Sequence, residues 1–551
     1  MRYTTCRLAI GVVATALALT ACSSSTESSP PVTDDVVRAT TTTAFTAYER
    51  PACSPASFKP AEAAPVEGST SDFDLVSFDG ATIRMHWFPR AVGKPSPTVL
   101  KGPGWSLPGD TDATSQGSGL FGDVNIKNLR DSGYNVLTWD PRGFGESGGK
   151  VNINSAEFEG RDVQRIIDWA SAQPEVKLDA EGDPSFGMVG ASYGGGIQFI
   201  TAAIDCRVDA IVPAIAWKSL ETSLYKNQTY KSGWGDALYN FGNTANLDPH
   251  IVASHDETAA DGVLSKENQD WFRARGPGDL VDKITAPTLI VQGTVDTFFT
   301  LDEGVANYNA LRAQGVPVAM LWYCGGHGVC LTPDGDPARN STVAIDWLNR
   351  FVKGDKSVEV AVGIDVVDQT GAHIRAREFP GASGPTATAS GRGTLKLIES
   401  GGAGPIDPAT AAGVIGALAG GFTPAKASNS IDVDIAFATA AVVAGAPKLT
   451  ARYRGSSPAG AKPTRVFAQL VDSATGLVLG NQITPIEVLL DGTEHEFSVA
   501  LETVAFSAKA GSKLTLQIVA TTVAYAKPRF GGSVEFVDID VEVPTSTGFS
   551  Q

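Results

Sequence analysis

The chain has 551 residues, 42% of them hydrophobic, and a formal charge of −17 from 60 acidic against 43 basic residues. That length and apolar content suit two or three domains with a large core. An acidic surface with no basic cluster repels phosphate backbones, which excludes nucleic acid as a partner.

The first 22 residues read as an export signal. Arg2 and Arg7 give a basic start, residues 8–19 form an apolar stretch too short to span a bilayer, and Leu19-Thr20-Ala21-Cys22 is a lipobox. The expectation is a lipoprotein signal over 1–21, a lipidated Cys22 and a flexible Ser/Thr-rich tether over 22–60. That would place the protein in the cell envelope, on the outer face of the cytoplasmic membrane, touching the membrane through its lipid alone. The alternative is a plain secretory signal cut near Ala21. Removing Cys6 and lipidating Cys22 leaves Cys53, Cys206, Cys324 and Cys330, an even count that favours two disulfides in an exported chain. Of the three pairings, Cys324 with Cys330 is favoured because it closes a loop carrying His327. Cys53 with Cys206 follows by elimination. No C-x-x-C or H-x-x-x-H spacing occurs, so no metal is expected.

From 61 to 355, short apolar runs alternate with helical patterns, the mark of a mostly parallel sheet with helices on both faces. The run 98–101 leads into Gly102-Pro103-Gly104-Trp105, a loop placed to donate to an oxyanion. Pro103 has no N–H, so Trp105 is the expected donor, through backbone or indole. The strand 135–139 leads into Asp140-Pro141-Arg142-Gly143-Phe144-Gly145-Glu146-Ser147-Gly148. Its G-x-G-x-x-G is not followed at once by a helix, so a dinucleotide site is not expected, nor any other cofactor. After a helix within 155–172 comes the strand 186–189 and then Gly190-Ala191-Ser192-Tyr193-Gly194, a G-x-S-x-G where a strand turns into a helix. This is the pattern of a nucleophile elbow, with the Tyr193 backbone N–H as the other oxyanion donor.

Between 217 and 283 the alternation stops. This stretch reads as a helical cap whose aromatics, Trp217, Tyr230 and Trp234 among them, line a substrate pocket or form the cap's own core, core being expected for most. Its Ser223-Leu224-Tyr225-Lys226 and Lys231-Ser232-Gly233 imitate β-lactamase motifs but lie too close together to act as such. The strand 288–291 then leads through Gly293-Thr294-Val295 to Asp296, just past the strand end, where such sheets put their sites. Asp302 reads instead as a helix cap and Asp282 precedes the strand. The last parallel strand, 318–322, runs into Cys324-Gly325-Gly326-His327-Gly328. His86 precedes the serine, His250 and His255 sit in the cap, and His373 and His495 fall in a later β region. His327 alone is placed to serve Ser192. A hydrolase in which Ser192 attacks, His327 carries the proton and Asp296 orients the imidazole follows from this order.

These pieces resemble the α/β-hydrolase family of X-prolyl dipeptidyl-peptidases and cocaine-esterase-like enzymes. The resemblance rests on 140–147, 190–195, 293–296 and Gly326-His327, together with an all-β C-terminal part. It implies a serine acyl hydrolase with a helical cap and a jelly-roll domain. Cocaine-esterase-like members use a tyrosine hydroxyl in the oxyanion hole, and here the loop offers Trp105.

From 356 to 551 the apolar period changes to two, as in Ile431-Asp432-Val433-Asp434-Ile435, giving a β-sandwich, most simply a jelly roll. Residues 401–421 form an Ala/Gly/Pro-rich stretch expected to be a long loop. The expected function is an exported serine hydrolase acting on small-molecule carboxylic esters, with amides as further substrates. An X-Pro dipeptidyl aminopeptidase acting on peptides is the alternative within the fold. From another class, the alternative is an envelope glycan-binding lipoprotein with an idle triad. Composition and motifs carry no signal for oligomeric state.

Overall fold

The computed structural model describes residues 48–53, 58–114, 124–328, 330, 338–403, 426–458 and 462–550, all within one compact unit. The signal, Cys22, the start of the tether and most of the 401–421 stretch lie outside the described residues.

The centre is an 11-stranded sheet. Its strands are β1 (Ala63–Pro65), β2 (Asp72–Val76), β3 (Thr82–Phe88), β4 (Thr98–Gly102), β5 (Asn135–Trp139), β6 (Phe186–Ala191), β7 (Ala210–Ala214), β8 (Thr288–Gly293), β9 (Val318–Tyr323), β10 (Gly363–Val367) and β11 (His373–Ala376). They lie in the order β1-β2-β3-β5-β4-β6-β7-β8-β9-β10-β11. From β5 to β10 every neighbouring pair is parallel. The central strands are buried end to end because helices cover both faces, which is why they read as unbroken apolar runs. On one face the helix Glu159–Ala170 turns Val163, Ile166, Ile167 and Ala170 inward at helical spacing, and it packs on the helix Tyr193–Ile204.

β10 and β11 fall beyond the boundary expected at 355/356. β10 pairs in parallel with β9 and puts Ile364 and Val366 into the hydrolase core. Period-two alternation marks a strand but not the sheet that receives it, so the hydrolase sheet runs on to Ala376. The sandwich begins at the strand Ala387–Lys396. One four-stranded sheet joins that strand to Ser533–Val543, Lys448–Ser456 and Asp491–Ala500; the other joins Ser430–Ala436, Lys513–Val519, Thr464–Asp472 and Thr484–Val488. Leu449 and Val541 from the first meet Val433 and Leu516 from the second in one apolar core.

The cap is built from the helices Leu220–Leu224, Ser232–Gly242, Pro249–Asp261 and Lys266–Arg273, with a short hairpin at 225–230. Trp217, Tyr225, Tyr230 and Trp234 are buried, while Phe241 is exposed.

Candidate active site

Strand β6 ends at Ala191 and the helix Tyr193–Ile204 begins two residues later, leaving Ser192 alone at the turn with φ 56° and ψ −117°. A non-glycine residue holds such a backbone only when its surroundings dictate it. Here the dictating contacts are backbone on backbone. A Cβ on Gly194 would lie 2.4 Å from the Gly102 carbonyl oxygen, and one on Gly190 would lie 2.8 Å from the same atom. The end of β4, the end of β6 and the start of the helix therefore meet where no side chain fits, and the Ser192 N–H donates to Ala214 O at 2.9 Å.

Two loops after later strands complete the site. His327 Nε2 lies 2.9 Å from Ser192 Oγ, and His327 Nδ1 lies 2.8 Å from Asp296 Oδ2. Asp296 is fully buried. Its Oδ1 accepts the backbone N–H groups of Phe298 and Phe299, both at 2.9 Å, and its Oδ2 also accepts the His327 N–H at 3.0 Å. With a carboxylate facing Nδ1, the imidazole carries its proton there and offers the Nε2 lone pair to the serine hydroxyl. The glycines of the two loops are again a matter of room: a Cβ on Gly293 would lie 2.1 Å from Gly325 O, and one on Gly326 (φ +111°) would lie 2.6 Å from the Asp296 Cβ. Cys324 and Cys330 are disulfide-bonded across the histidine loop, and Cys53 is bonded to Cys206.

The carboxylates weighed as competitors are occupied elsewhere. Asp302 was expected to cap a helix, but the helix Leu301–Ala313 takes Thr300 as its N-cap. Asp302 instead pairs with Lys226 at 3.1 Å and accepts from Thr503, because a half-buried cation from the cap lies opposite it. Asp282 is exposed in the 3-10 turn Gly278–Lys283.

Residues that motif reading passed over hold the acid loop from two sides. The cap residue Lys231, set aside as part of a decoy, is buried and donates from Nζ to Phe298 O at 2.9 Å and to Thr297 O at 3.3 Å. Burial pushes its amine down to about 8, against the pull of Glu502. Trp234 Nε1 donates to Thr297 Oγ1 at 3.0 Å, and its ring packs edge-on to His327 with Phe298 and Phe299. From the sandwich, Gln482 Nε2 donates to Asp296 O at 2.6 Å. Lys231 is one of several cap lysines among aromatics, with Lys218 and Lys226 close by, so nothing in the sequence singles it out, and nothing singles out Gln482.

On the opposite side, Tyr193 is the first residue of its helix, where N–H groups have no intrahelical acceptor and face the serine's end of the macrodipole. The Trp105 indole differs from the expectation. Its Nε1 donates to Leu238 O in the cap at 2.9 Å, because the cap helix Ser232–Gly242 passes over the loop, and the ring packs on Phe144 and Tyr193. The indole is thus a wall, and only the Trp105 backbone remains as a donor. Asp140 anchors this loop: Oδ1 accepts Gly109 N–H and Oδ2 accepts Glu146 N–H, both at 2.8 Å. His86 bridges Asp140 and Asp72, and Arg142 pairs with Asp79 and Asp162, so the 140–148 turn is a structural clamp.

Ser192 opens into a cavity between cap and sheet, lined by Trp105, Trp217, Leu224, Ile251, Phe272 and Phe299 among others. Among the described residues its lining holds no carboxylate, amide, lysine or arginine. His255, set aside as a base, lies on this wall. The arrangement can deprotonate a hydroxyl, stabilise an oxyanion at a helix N-terminus and bury an apolar group beside the reacting carbon.

Residues 79–329 match the X-Pro dipeptidyl-peptidase (S15 family). Among curated proteins, the chain is 25% identical over 232 residues to dipeptidyl-peptidase 5 of Porphyromonas endodontalis, covering 42% of this chain and 30% of that protein. It is 27% identical over 143 residues to a polyketide transferase of a Penicillium species, covering 26% of this chain and 43% of the other. The chain thus spans less than half the length of these relatives. Among solved structures, an α-amino acid ester hydrolase superposes with TM-score 0.66 at 12% identity, over 94% of this chain and 100% of the other. A CocE/NonD family hydrolase from Staphylococcus aureus superposes with TM-score 0.62 at 12% identity, over 86% and 93%. The chain therefore has the α/β-hydrolase fold, and over residues 79–329 it is similar to the X-Pro dipeptidyl-peptidase (S15) family.

Proposed function

We propose that the protein is a serine ester hydrolase working through an acyl-enzyme, and that it is exported and lipid-anchored. The observation that carries the enzymatic reading is the unbroken chain Ser192 Oγ to His327 Nε2 to Asp296 Oδ2, at 2.9 and 2.8 Å, at the floor of an apolar cavity. Ser192 Oγ attacks the acyl carbon as its proton passes to His327 Nε2. The oxyanion is held by the Tyr193 and Trp105 backbone N–H groups. Collapse expels the alcohol, which takes the proton from His327, and a water deprotonated by the same imidazole then releases the acid and restores Ser192.

The family match and the dipeptidyl-peptidase relatives favour X-Pro peptidase activity as a second reading. That reaction needs an anchor for a substrate's free ammonium, and the apolar lining supports ester over peptide. Rates on p-nitrophenyl butyrate and Gly-Pro-p-nitroanilide decide between them. We expect the ester to be the better substrate and Ser192→Ala to abolish its turnover and labelling by a fluorophosphonate. A faster anilide reverses the assignment, and a folded wild type that resists the fluorophosphonate supports a binding protein with an idle triad.

Export and anchoring rest on the lipobox ending at Cys22, and the two disulfides fit an oxidising compartment. Incorporation of labelled palmitate that is lost in Cys22→Ala is the expected result; incorporation into neither removes the anchor.

A further inference from the structure

The cavity wall contributed by the cap helix Pro249–Asp261 carries two polar atoms with no hydrogen-bond partner among the described residues. Ser254 is 4% exposed, and its Oγ is buried and unpaired. One turn on, Thr258 Oγ1 does what a buried helical hydroxyl ordinarily does, donating to the Ser254 carbonyl at 2.8 Å. Ser254 makes no such bond. Beside it the Nδ1 of His255 is also buried without a hydrogen bond, with the exposed Asp256 carboxylate 3.6 Å away at ion-pair range.

The imidazole is not loose. The Tyr239 ring stacks on it at 3.9 Å with 9° between planes, and Asp236 Oδ1 lies 3.8 Å from its Nε2. Ser254, His255 and Tyr239 line the same cavity as Ser192. Leaving buried polar atoms unpaired costs stability, so each calls for a partner, which can be a water, an ion or a group on a ligand. A plain hydrocarbon in this cavity would leave both without a partner. A hydroxyl answers both, because it can donate to one and accept from the other.

We propose, resting on the ester-hydrolase reading, that the cavity is an acyl pocket for a hydroxylated acyl chain, whose hydroxyl seats against Ser254 Oγ and His255 Nδ1 while its hydrocarbon lies on the aromatic walls. A site built to bind a substrate hydroxyl discriminates strongly against the analogue lacking it, since the site's own polar groups are then left bare.

The test compares kcat/KM for p-nitrophenyl hexanoate, octanoate and decanoate with that for their ω-hydroxy counterparts. The expected result is a ratio of about tenfold or more in favour of the hydroxylated ester at one chain length. That ratio falls toward one in Ser254→Ala and in His255→Phe, the latter keeping a ring to stack on Tyr239. A ratio at or below one at every length in the wild type, or a ratio unchanged in both variants, overturns the anchor and leaves a bound water as the occupant. A wild type that turns over no ester of either kind overturns the ester-hydrolase reading along with it.

Discussion

Gln482 donates its side-chain amide to the backbone carbonyl of Asp296 at 2.6 Å, so the loop that presents the acid is fixed by a residue 186 positions further along the chain. The same amide also reaches Gly480 O at 3.0 Å, which ties the acid loop to a turn of the sandwich. The C-terminal region thereby enters the geometry of the site without lining it. Gln482→Leu keeps the volume and removes the donor, leaving a buried carbonyl short of a partner at a cost of about 1–3 kcal/mol. We expect a lower melting temperature together with a kcat reduced by up to about tenfold at unchanged KM, since substrate contacts are untouched. Initial rates alongside thermal unfolding check this; a loss of stability with kcat intact would show that the sandwich merely props the fold.

The two disulfides should divide stability from activity. Cys53–Cys206 closes a separation of 153 residues and Cys324–Cys330 one of 6. In the chain-entropy account the longer closure contributes about 5 kcal/mol and the shorter about 2 kcal/mol. The shorter one, however, encloses His327. Replacing Cys324 and Cys330 with alanine should lower kcat more than it lowers the urea midpoint, and replacing Cys53 and Cys206 should do the opposite. Urea titrations and rates on both double variants read the two effects, and equal activity losses would remove the histidine loop from the explanation.

Much of this site is legible in the sequence because its requirements are local. The G-x-S-x-G around Ser192 exists because three backbone segments converge where Cβ atoms cannot stand, and Gly293 and Gly326 mark the same crowding between the acid and histidine loops. The positions of Asp296 and His327 follow from a parallel sheet's habit of placing sites past its strand ends. What could not be read depends on neighbours remote in sequence. The direction of the Trp105 indole is set by a carbonyl of the cap, and Gln482 matters only because the sandwich packs against the acid loop. The sheet edge is a further case: 363–376 has the alternation of a sandwich strand, and only the open side of β9 decides where it pairs.

His86 lies between two carboxylates, with Nδ1 2.8 Å from Asp72 and Nε2 3.2 Å from Asp140. Burial by itself lowers the imidazole, but the two acids outweigh it and hold the group above its ordinary value. A base raised in the folded state adds stability that is complete below its unfolded value of about 6.5 and fades as pH climbs through the folded one. Asp72 and Asp140 are held below the usual carboxylate range despite burial, so their share fades only on the acid side. The gap in urea midpoint between wild type and His86→Gln should therefore be wide near about pH 5.5 and narrow near about pH 8.5. A gap that widens with alkali would mean the imidazole is neutral where it sits.

Lys231 offers the converse sign. Its buried amine is pushed down to about 8, with Glu502 pulling the other way, while its hydrogens reach the carbonyls of Thr297 and Phe298 beside the acid. An amine lowered below its unfolded value of about 10.4 costs stability while charged, and that cost is relieved between the two values as pH rises. The neutral amine still donates, so its grip on the acid loop survives the change. Lys231→Met removes both the charge and the donors. The wild type should consequently gain in urea midpoint relative to Lys231→Met as pH goes from about 7.5 to about 9.5, and the variant's kcat should be reduced several-fold at both values. If the midpoint difference stays flat across that range, the amine does not change its charge there, and if kcat holds, the cap does not steady the acid loop.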